Sequence, residues 1–455
     1  MSAKTESDLI VIGAGSGGLA AAKRAAALGA QVTLVEAGRV GGTCVLRGCI
    51  PKKFMIYARG CADAFALAPH YGFRGASPTL DWGQLIAAQQ ALLDRLEQSH
   101  RGHLERAGVR LVAGRAQVTG PHTVQVPGQP PLTGRHILLA CGGRPRALPG
   151  PGGARAINSD DFFQLPKQPQ RALLIGGGYI GVELASLLQG LGTQVTLAVR
   201  GHLLNGFDRD LSAAILIALR HQGIDVRLQC ALGGLVADGE ATQAELSAHA
   251  EGGAERLRVD CVLAAVGRQA NGAGLLAPEL GLALGPNDTL QVDPHHRTAV
   301  PSIWAIGDLI GRLDLTPMAI RAGRHVAEAL FYQPGPPLSY ADVPRAIFAE
   351  PPAASVGLSE AEAEARGTGA VRCFSTRFSP LRYAPCPAAE RRSCWMKVVV
   401  DAASDRVLGL HMVGEEAPEI MQGFAAALNA GITKAQLDAT LPIHPTVAEE
   451  FVLMR

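Results

Sequence analysis

No charge of either sign dominates this chain. Its 42 Lys and Arg face 40 Asp and Glu, a net charge of +2. No Lys/Arg run or basic helix stands out, so neither nucleic acid nor a membrane surface is expected as a partner. Long apolar runs are missing too. No stretch approaches the roughly 20 residues of a membrane span. The opening MSAKTESDLIVIGAG lacks a charged-then-apolar leader, and its short apolar piece reads as a strand. Cysteine is sparse and odd in number. Seven of the nine (Cys61, Cys141, Cys230, Cys261, Cys373, Cys386, Cys394) show no scaffold-like spacing. That pattern predicts reduced thiols and a cytoplasmic protein. No C-x-x-C or His pair completes a zinc site, so no metal is expected.

What is present points to a large, well-buried enzyme. At 455 residues the chain exceeds one core, and two to four domains are expected. Apolar residues make up 47% and charged residues 18%. The first 40 residues read as strand DLIVI, turn Gly13-Ala-Gly15-Ser16-Gly-Gly18, a helix ended by Gly29, and strand QVTLVE closing on Glu36. A second copy begins at Arg171: strand ALLI, turn Gly176-Gly-Gly178-Tyr179-Ile-Gly181, a helix, and strand QVTLAVR. A lone G-x-G-x-x-G is weak evidence, but here each follows a strand and opens a helix. That is the context in which glycines let the backbone approach a pyrophosphate facing the helix N-terminus. Glu36 suits a ribose with free hydroxyls, as in FAD or NAD. The second unit ends instead in Val199-Arg200, and a cation there suits the 2′-phosphate of NADPH. The fold class expected is α/β, with two Rossmann-like nucleotide-binding domains. The Pro-rich YQPGPPLSY then leads into an α+β C-terminal domain without a nucleotide fingerprint.

Two constellations carry chemistry. Gly41-Gly-Thr43-Cys44-Val-Leu-Arg-Gly-Cys49-Ile-Pro-Lys52-Lys53 directly follows the first nucleotide unit. Cysteines at this spacing can close a disulfide in a helical first turn, and a helix N-terminus lowers a thiol pKa. The chain has only seven lysines against 35 arginines, so two adjacent lysines here are unlike compositional drift. Near the other end stands Leu-Pro-Ile-His444-Pro-Thr-Val-Ala-Glu449-Glu450. A helix is expected over VAEEFVLM, with Glu449 in reach of the imidazole, where a carboxylate strengthens a His as base. Taken alone, such a His reads as a surface residue.

With GGTCVLRGCIPKK and IHPTVAEE both present, the chain resembles the glutathione reductases among the class I pyridine nucleotide–disulfide oxidoreductases, from residue 7 to 455. The Lys-Lys after Cys-Ile-Pro favours them over the lipoamide and mercuric enzymes. The end at VLMR lacks the redox tail of large thioredoxin reductases. The resemblance implies FAD-binding segments 1–147 and 268–335, an NAD(P)H-binding segment 148–267, and a dimer interface domain 336–455. It implies Cys49 as the thiol near the flavin and Cys44 as the interchange thiol. Lys52 would pair with Glu183, and Tyr179 would gate the nicotinamide. Thr43, Gly142 and Asp308 would join the FAD set, and Arg268 would pack on the NADPH adenine side. His444 and Glu449 would serve the partner subunit's dithiol, which makes an obligate homodimer. Lys23, Lys53, His100 and Arg324 would meet glutathione disulfide, with His100 in place of a Tyr. Asn205 stands where a second coenzyme Arg is usual, so only a modest NADPH preference is expected. The alternative is a sister enzyme acting on a modified glutathione or lipoamide, with NADH.

Overall fold

The protein is described by a computed structural model covering residues 6–248, 253–367 and 369–455. The chain forms two compact units, each holding one Gly-rich turn. One comprises the chain up to Phe54, Gly83–Arg146 and Gly267–Tyr340. The other comprises Met55–Trp82, Ala147–Val266 and Ala341–Arg455.

In the first unit a seven-stranded sheet runs in the order Arg110–Ala113, Val32–Glu36, Glu6–Ile12, Leu132–Leu139, Thr123–Gln125 and Gln117–Gly120. The strand Ile303–Ala305 also pairs with Leu132–Leu139. The strands bearing continuous apolar runs pair in parallel, with Leu9 opposite Val32 and Ile10 opposite Ile137. Parallel strands are covered on both faces, hence the unbroken apolar runs. Alternation divides them: Leu9, Val11, Leu34 and Leu138 fill one cluster, and Ile10, Ile12, Val35 and Leu139 the other. The helices Ser16–Ala27 and Thr316–Phe331 cross closely, because Gly323 leaves room for the Gly17 carbonyl where a methyl would overlap it.

The second unit contains a five-stranded parallel sheet: Asp225–Arg227, Gln194–Ala198, Arg171–Ile175, Cys261–Ala264 and Ile157–Asn158. A three-stranded antiparallel sheet covers Cys230–Asp238, Ala241–Ala248 and Glu255–Val259. A further five-stranded antiparallel sheet is built by Arg345–Ile347, Ala353–Gly357, Val407–Val413, Cys394–Asp401 and Val371–Phe378. The helix Ala417–Asn429 packs against it through Met421, Ala425 and Leu428.

The whole is α/β with two Rossmann-like folds and a C-terminal α+β part, as expected. The helices Cys49–Leu67 and Trp82–Arg106 add long elements that the sequence did not mark clearly. Much of Trp82–Arg106 is polar, and only isolated residues such as Leu93 and Leu104 are buried. Among the described residues, no helix is long and apolar enough to cross a membrane.

Candidate active site

Both fingerprints fold as cradles. Gly13 (φ +105°) and Gly176 (φ +122°) take backbone conformations that favour glycine. A side chain at either would strike the carbonyl of Ala140 or Ala265. At the third glycine, Gly18 or Gly181, a methyl would overlap the carbonyl of the first. Each following helix starts at a glycine, Gly15 or Gly178, without a side-chain cap. By contrast, Asp208 and Thr433 cap their own helices. The uncapped first-turn N–H groups remain available to an anion.

In the first unit these features fit FAD. The Glu36 carboxylate, at the end of its strand, accepts from the Ala14 N–H at 2.6 Å and the Gly38 N–H at 2.8 Å. Gly142 takes φ +64°, and the Asn271 amide donates to the Cys141 carbonyl at 2.9 Å. Asp308 accepts from Arg268 at 3.2 Å. Arg268 also donates to the Gly143 carbonyl at 2.8 Å. Arg268 thus lies in the first unit, bonded to Asp308. The strand pairing of Arg268–Ala270 with Gly143–Pro145 carries it there.

The redox loop lies on the same cradle. Gly41 (φ +134°) donates its N–H to the Ala14 carbonyl at 2.9 Å. Gly42 packs so tightly on Gly15 that a Cβ would come within 2.5 Å of its Cα. The short helix Gly42–Arg47 then carries Thr43 and Cys44, and Cys49 opens the helix Cys49–Leu67. The two thiols are hydrogen-bonded to each other with opposite consequences. The bond from Cys44 holds the Cys49 thiol down to about 6 against its burial, assisted by Thr316 and Lys52. Donation to Cys49 and burial push Cys44 well up. Thr316 lies 3.6 Å from the Cys49 sulfur. Ser16 also hydrogen-bonds Cys44. The two shifts run in opposite directions and favour the negative charge on Cys49. A thiolate of this pKa exists above about 6 and is protonated below it. In the reduced holoprotein, long-wavelength thiolate–flavin absorbance should be full near neutrality and fade as pH falls through about 6. A spectrophotometric acid titration checks this, and a midpoint near the ordinary thiol value would refute the Cys49 assignment.

Cys44 opens on a cleft of about 640 Å³ lined by Lys23, His100, Thr316 and Arg324. Lys23 and Arg324 come from the two helices whose glycines allow their close crossing. Burial and the Lys23 charge lower the His100 pKa, so the ring is neutral at neutral pH. Lys53, grouped with these residues from sequence, is not in the cleft lining. The Arg24–Glu328 ion pair at 2.9 Å is there instead. Neither that pair nor Thr316 was found by sequence reasoning. The Thr-Pro that opens a helix was the available signal for Thr316.

On the second fingerprint, Tyr179 is 39% exposed at the helix start. Glu183 is buried one turn later and accepts from the Phe348 N–H at 2.8 Å. Arg200, His202 and Asn205 are exposed on the loop after Gln194–Ala198. The imidazole of His444 is 78% exposed, and its Nδ1 lies 3.0 Å from Glu449. That contact matches the sequence expectation, but the expected helix over VAEEFVLM does not form in full. Only Glu450–Leu453 is helical. The Thr446 hydroxyl accepts from the Glu449 N–H at 3.3 Å and donates to the Ile443 carbonyl at 2.7 Å, which holds residues 443–449 in a turn.

The profile of the pyridine nucleotide-disulphide oxidoreductase family matches residues 7–323, and that of its dimerisation domain matches residues 343–455. The chain is 43% identical to a glutathione reductase of Burkholderia cepacia over 99% of both chains. It is 42% identical to one of Nostoc sp. over 98% of this chain and 99% of that one. With the chloroplastic/mitochondrial glutathione reductase of Pisum sativum it shares 38% identity, over 98% of this chain and 82% of the relative.

Proposed function

The chain belongs to the pyridine nucleotide-disulphide oxidoreductase family, and on that premise we propose that it reduces glutathione disulfide with NADPH. The observation that carries this reading is the Cys44/Cys49 pair, set with opposed proton affinities between a nucleotide cradle and a cationic cleft. Lys23 and Arg324 suit the carboxylates of glutathione, whereas neutral lipoamide offers them nothing to bind. We divide the chain by role into FAD-binding segments 1–147 and 268–335, an NADPH-binding segment 148–267 and an interface domain 336–455. The protein acts as a homodimer, with active sites shared between subunits, in the cytoplasm.

Gly13–Gly18, Glu36, Thr43, Gly142 and Asp308 would hold FAD, which would supply the two-electron relay from coenzyme to the Cys44–Cys49 disulfide. Tyr179 and Glu183, on the second fingerprint, serve the nicotinamide, and Lys52, beside the dithiol, serves the flavin. In the reduced pair, Cys49 holds the negative charge, and Lys52 and Thr316 stabilise it. Cys44 keeps its proton because it donates to that thiolate. It therefore needs a base before it can attack, and His444 of the partner subunit, oriented by Glu449, takes this proton. Cys44 then attacks one sulfur of glutathione disulfide, and a mixed disulfide forms as the other sulfur departs. The imidazolium protonates the departing thiolate. Cys49 then attacks the Cys44 sulfur, which restores the disulfide and releases the second glutathione as a thiolate that takes its proton from solvent. The test is kcat/KM for several disulfides with each nicotinamide. Glutathione disulfide with NADPH should give the highest value, and a better result with lipoamide and NADH would overturn the reading.

Arg200 carries the coenzyme preference, with no acidic residue at that strand end to hold a free ribose. Loss of one charged hydrogen bond of about 1.5 kcal/mol corresponds to roughly 10-fold. Arg200→Ala should raise KM for NADPH by about that factor and leave KM for NADH almost unchanged. Equal changes for both coenzymes would make Arg200 a bystander.

A further inference from the structure

The second unit buries a knot of charge that neither the dithiol chemistry nor the fingerprint uses. Lys397 lies on the strand Cys394–Asp401 with its side chain 3% exposed. Its ammonium donates to Asp208 at 3.2 and 3.3 Å, to Asp210 at 2.7 Å and to Glu360 at 2.6 Å. Asp208 is 2% exposed and also accepts from the N–H groups of Asp210 at 3.0 Å and Glu360 at 3.1 Å. It is the N-cap of the helix Arg209–His221. Burying such a pair brings little or no net stability over an apolar replacement, so its value lies in the geometry it imposes.

The geometry in question is that of residues 199–207, the loop with Arg200, His202 and Asn205. Backbone bonds hold this loop at two points and a buried ion pair at a third, beside the Arg345 guanidinium 4.4 Å from the Phe207 ring centre. Val199 donates to the Arg227 carbonyl at 2.9 Å, and its own carbonyl accepts from Cys230 at 3.0 Å. Leu204, buried at φ +53°, donates to the Gly177 carbonyl inside the fingerprint turn at 2.7 Å. The third point is Asp208, where the loop enters its helix. The first two anchors belong to the nucleotide fold itself. The third comes from Lys397, 189 residues away on the C-terminal sheet.

We infer that Lys397 is a positioning residue for coenzyme selection: by fixing Asp208 it holds the loop in the arrangement that presents Arg200 and its neighbours to the 2′-phosphate of NADPH. The inference rests on the proposed NADPH reading of Arg200. Without this anchor the loop spreads over more conformations, and apparent affinity falls by the fraction that remains competent. NADH, which has no 2′-phosphate, loses little.

Lys397→Met removes the tie. Asp208→Asn is the second variant: its one amide oxygen can keep the cap on the Asp210 N–H, while the charge facing Lys397 and the acceptor for the Glu360 N–H are lost. KM for NADPH and for NADH would be measured on the full-length holoenzyme at saturating glutathione disulfide, beside Arg200→Ala. Each variant should raise KM for NADPH roughly 3- to 10-fold and leave KM for NADH and the saturated kcat within about twofold. Lys397→Arg should restore most of the NADPH affinity. If Lys397→Met does not fold, Asp208→Asn decides. An unchanged NADPH-to-NADH ratio in these variants, with a changed one in Arg200→Ala, overturns the inference and leaves the coenzyme reading intact. An unchanged ratio in Arg200→Ala overturns both. Equal losses for both coenzymes would reduce Lys397 to a structural role and also overturn the inference.

Discussion

Cys44→Ser should bind FAD and accept reduction by NADPH, yet lose disulfide turnover by at least about 10⁴-fold, because no other covalent route to product remains. Cys49→Ser should lose turnover equally and also the long-wavelength thiolate–flavin absorbance. The asymmetry follows from the structure of the pair. Cys49 is the thiol held low, by the Cys44 hydrogen bond, Thr316 and Lys52, and Cys44 is the thiol held high. A serine at position 44 can still donate to the Cys49 thiolate, so the absorbance should survive there. Steady-state turnover and the spectrum of each reduced variant separate the roles. Substantial glutathione disulfide reduction by either variant, or the absorbance lost in the Cys44 variant and kept in the Cys49 variant, would reverse or remove the assignment.

His444→Ala should lower kcat by about 10²- to 10⁴-fold, the range for a general acid–base group. The loss is expected to be large because Cys44 does not ionise readily on its own. A cross-subunit role makes a sharper forecast. Cys44→Ser and His444→Ala protomers are each inactive. After random subunit exchange at equal amounts, about a quarter of the wild-type activity should return, since half the dimers are mixed and each has one intact site. No recovery after verified exchange would place the His within its own chain's site or outside the chemistry.

Much of this was legible in the sequence because the constraints are local. Gly13, Gly18, Gly176 and Gly181 each occupy backbone positions where a side chain would collide, and a strand–turn–helix frame exposes that need within a few residues. The Cys44/Cys49 motif and the His444–Glu449 contact, five residues apart, are likewise short-range. What escaped is long-range or weakly patterned. The Lys397–Asp208 tie joins residues 189 apart. Arg24 meets Glu328 only because two glycines let their helices cross closely. The Arg268–Asp308 bond joins residues 40 apart, brought together by strand pairing with Gly143–Pro145. The helix expected over VAEEFVLM was overextended, because the Thr446 side chain competes for the backbone groups of that turn.

The central claim is that NADPH electrons reach glutathione disulfide through the Cys44–Cys49 dithiol. Anaerobic titration of the purified holoprotein with a stoichiometric amount of NADPH tests it most directly. Long-wavelength thiolate–flavin absorbance should appear on reduction and be discharged at once by glutathione disulfide. Bleaching of the flavin without that absorbance, or absorbance that persists when glutathione disulfide is added, would contradict it.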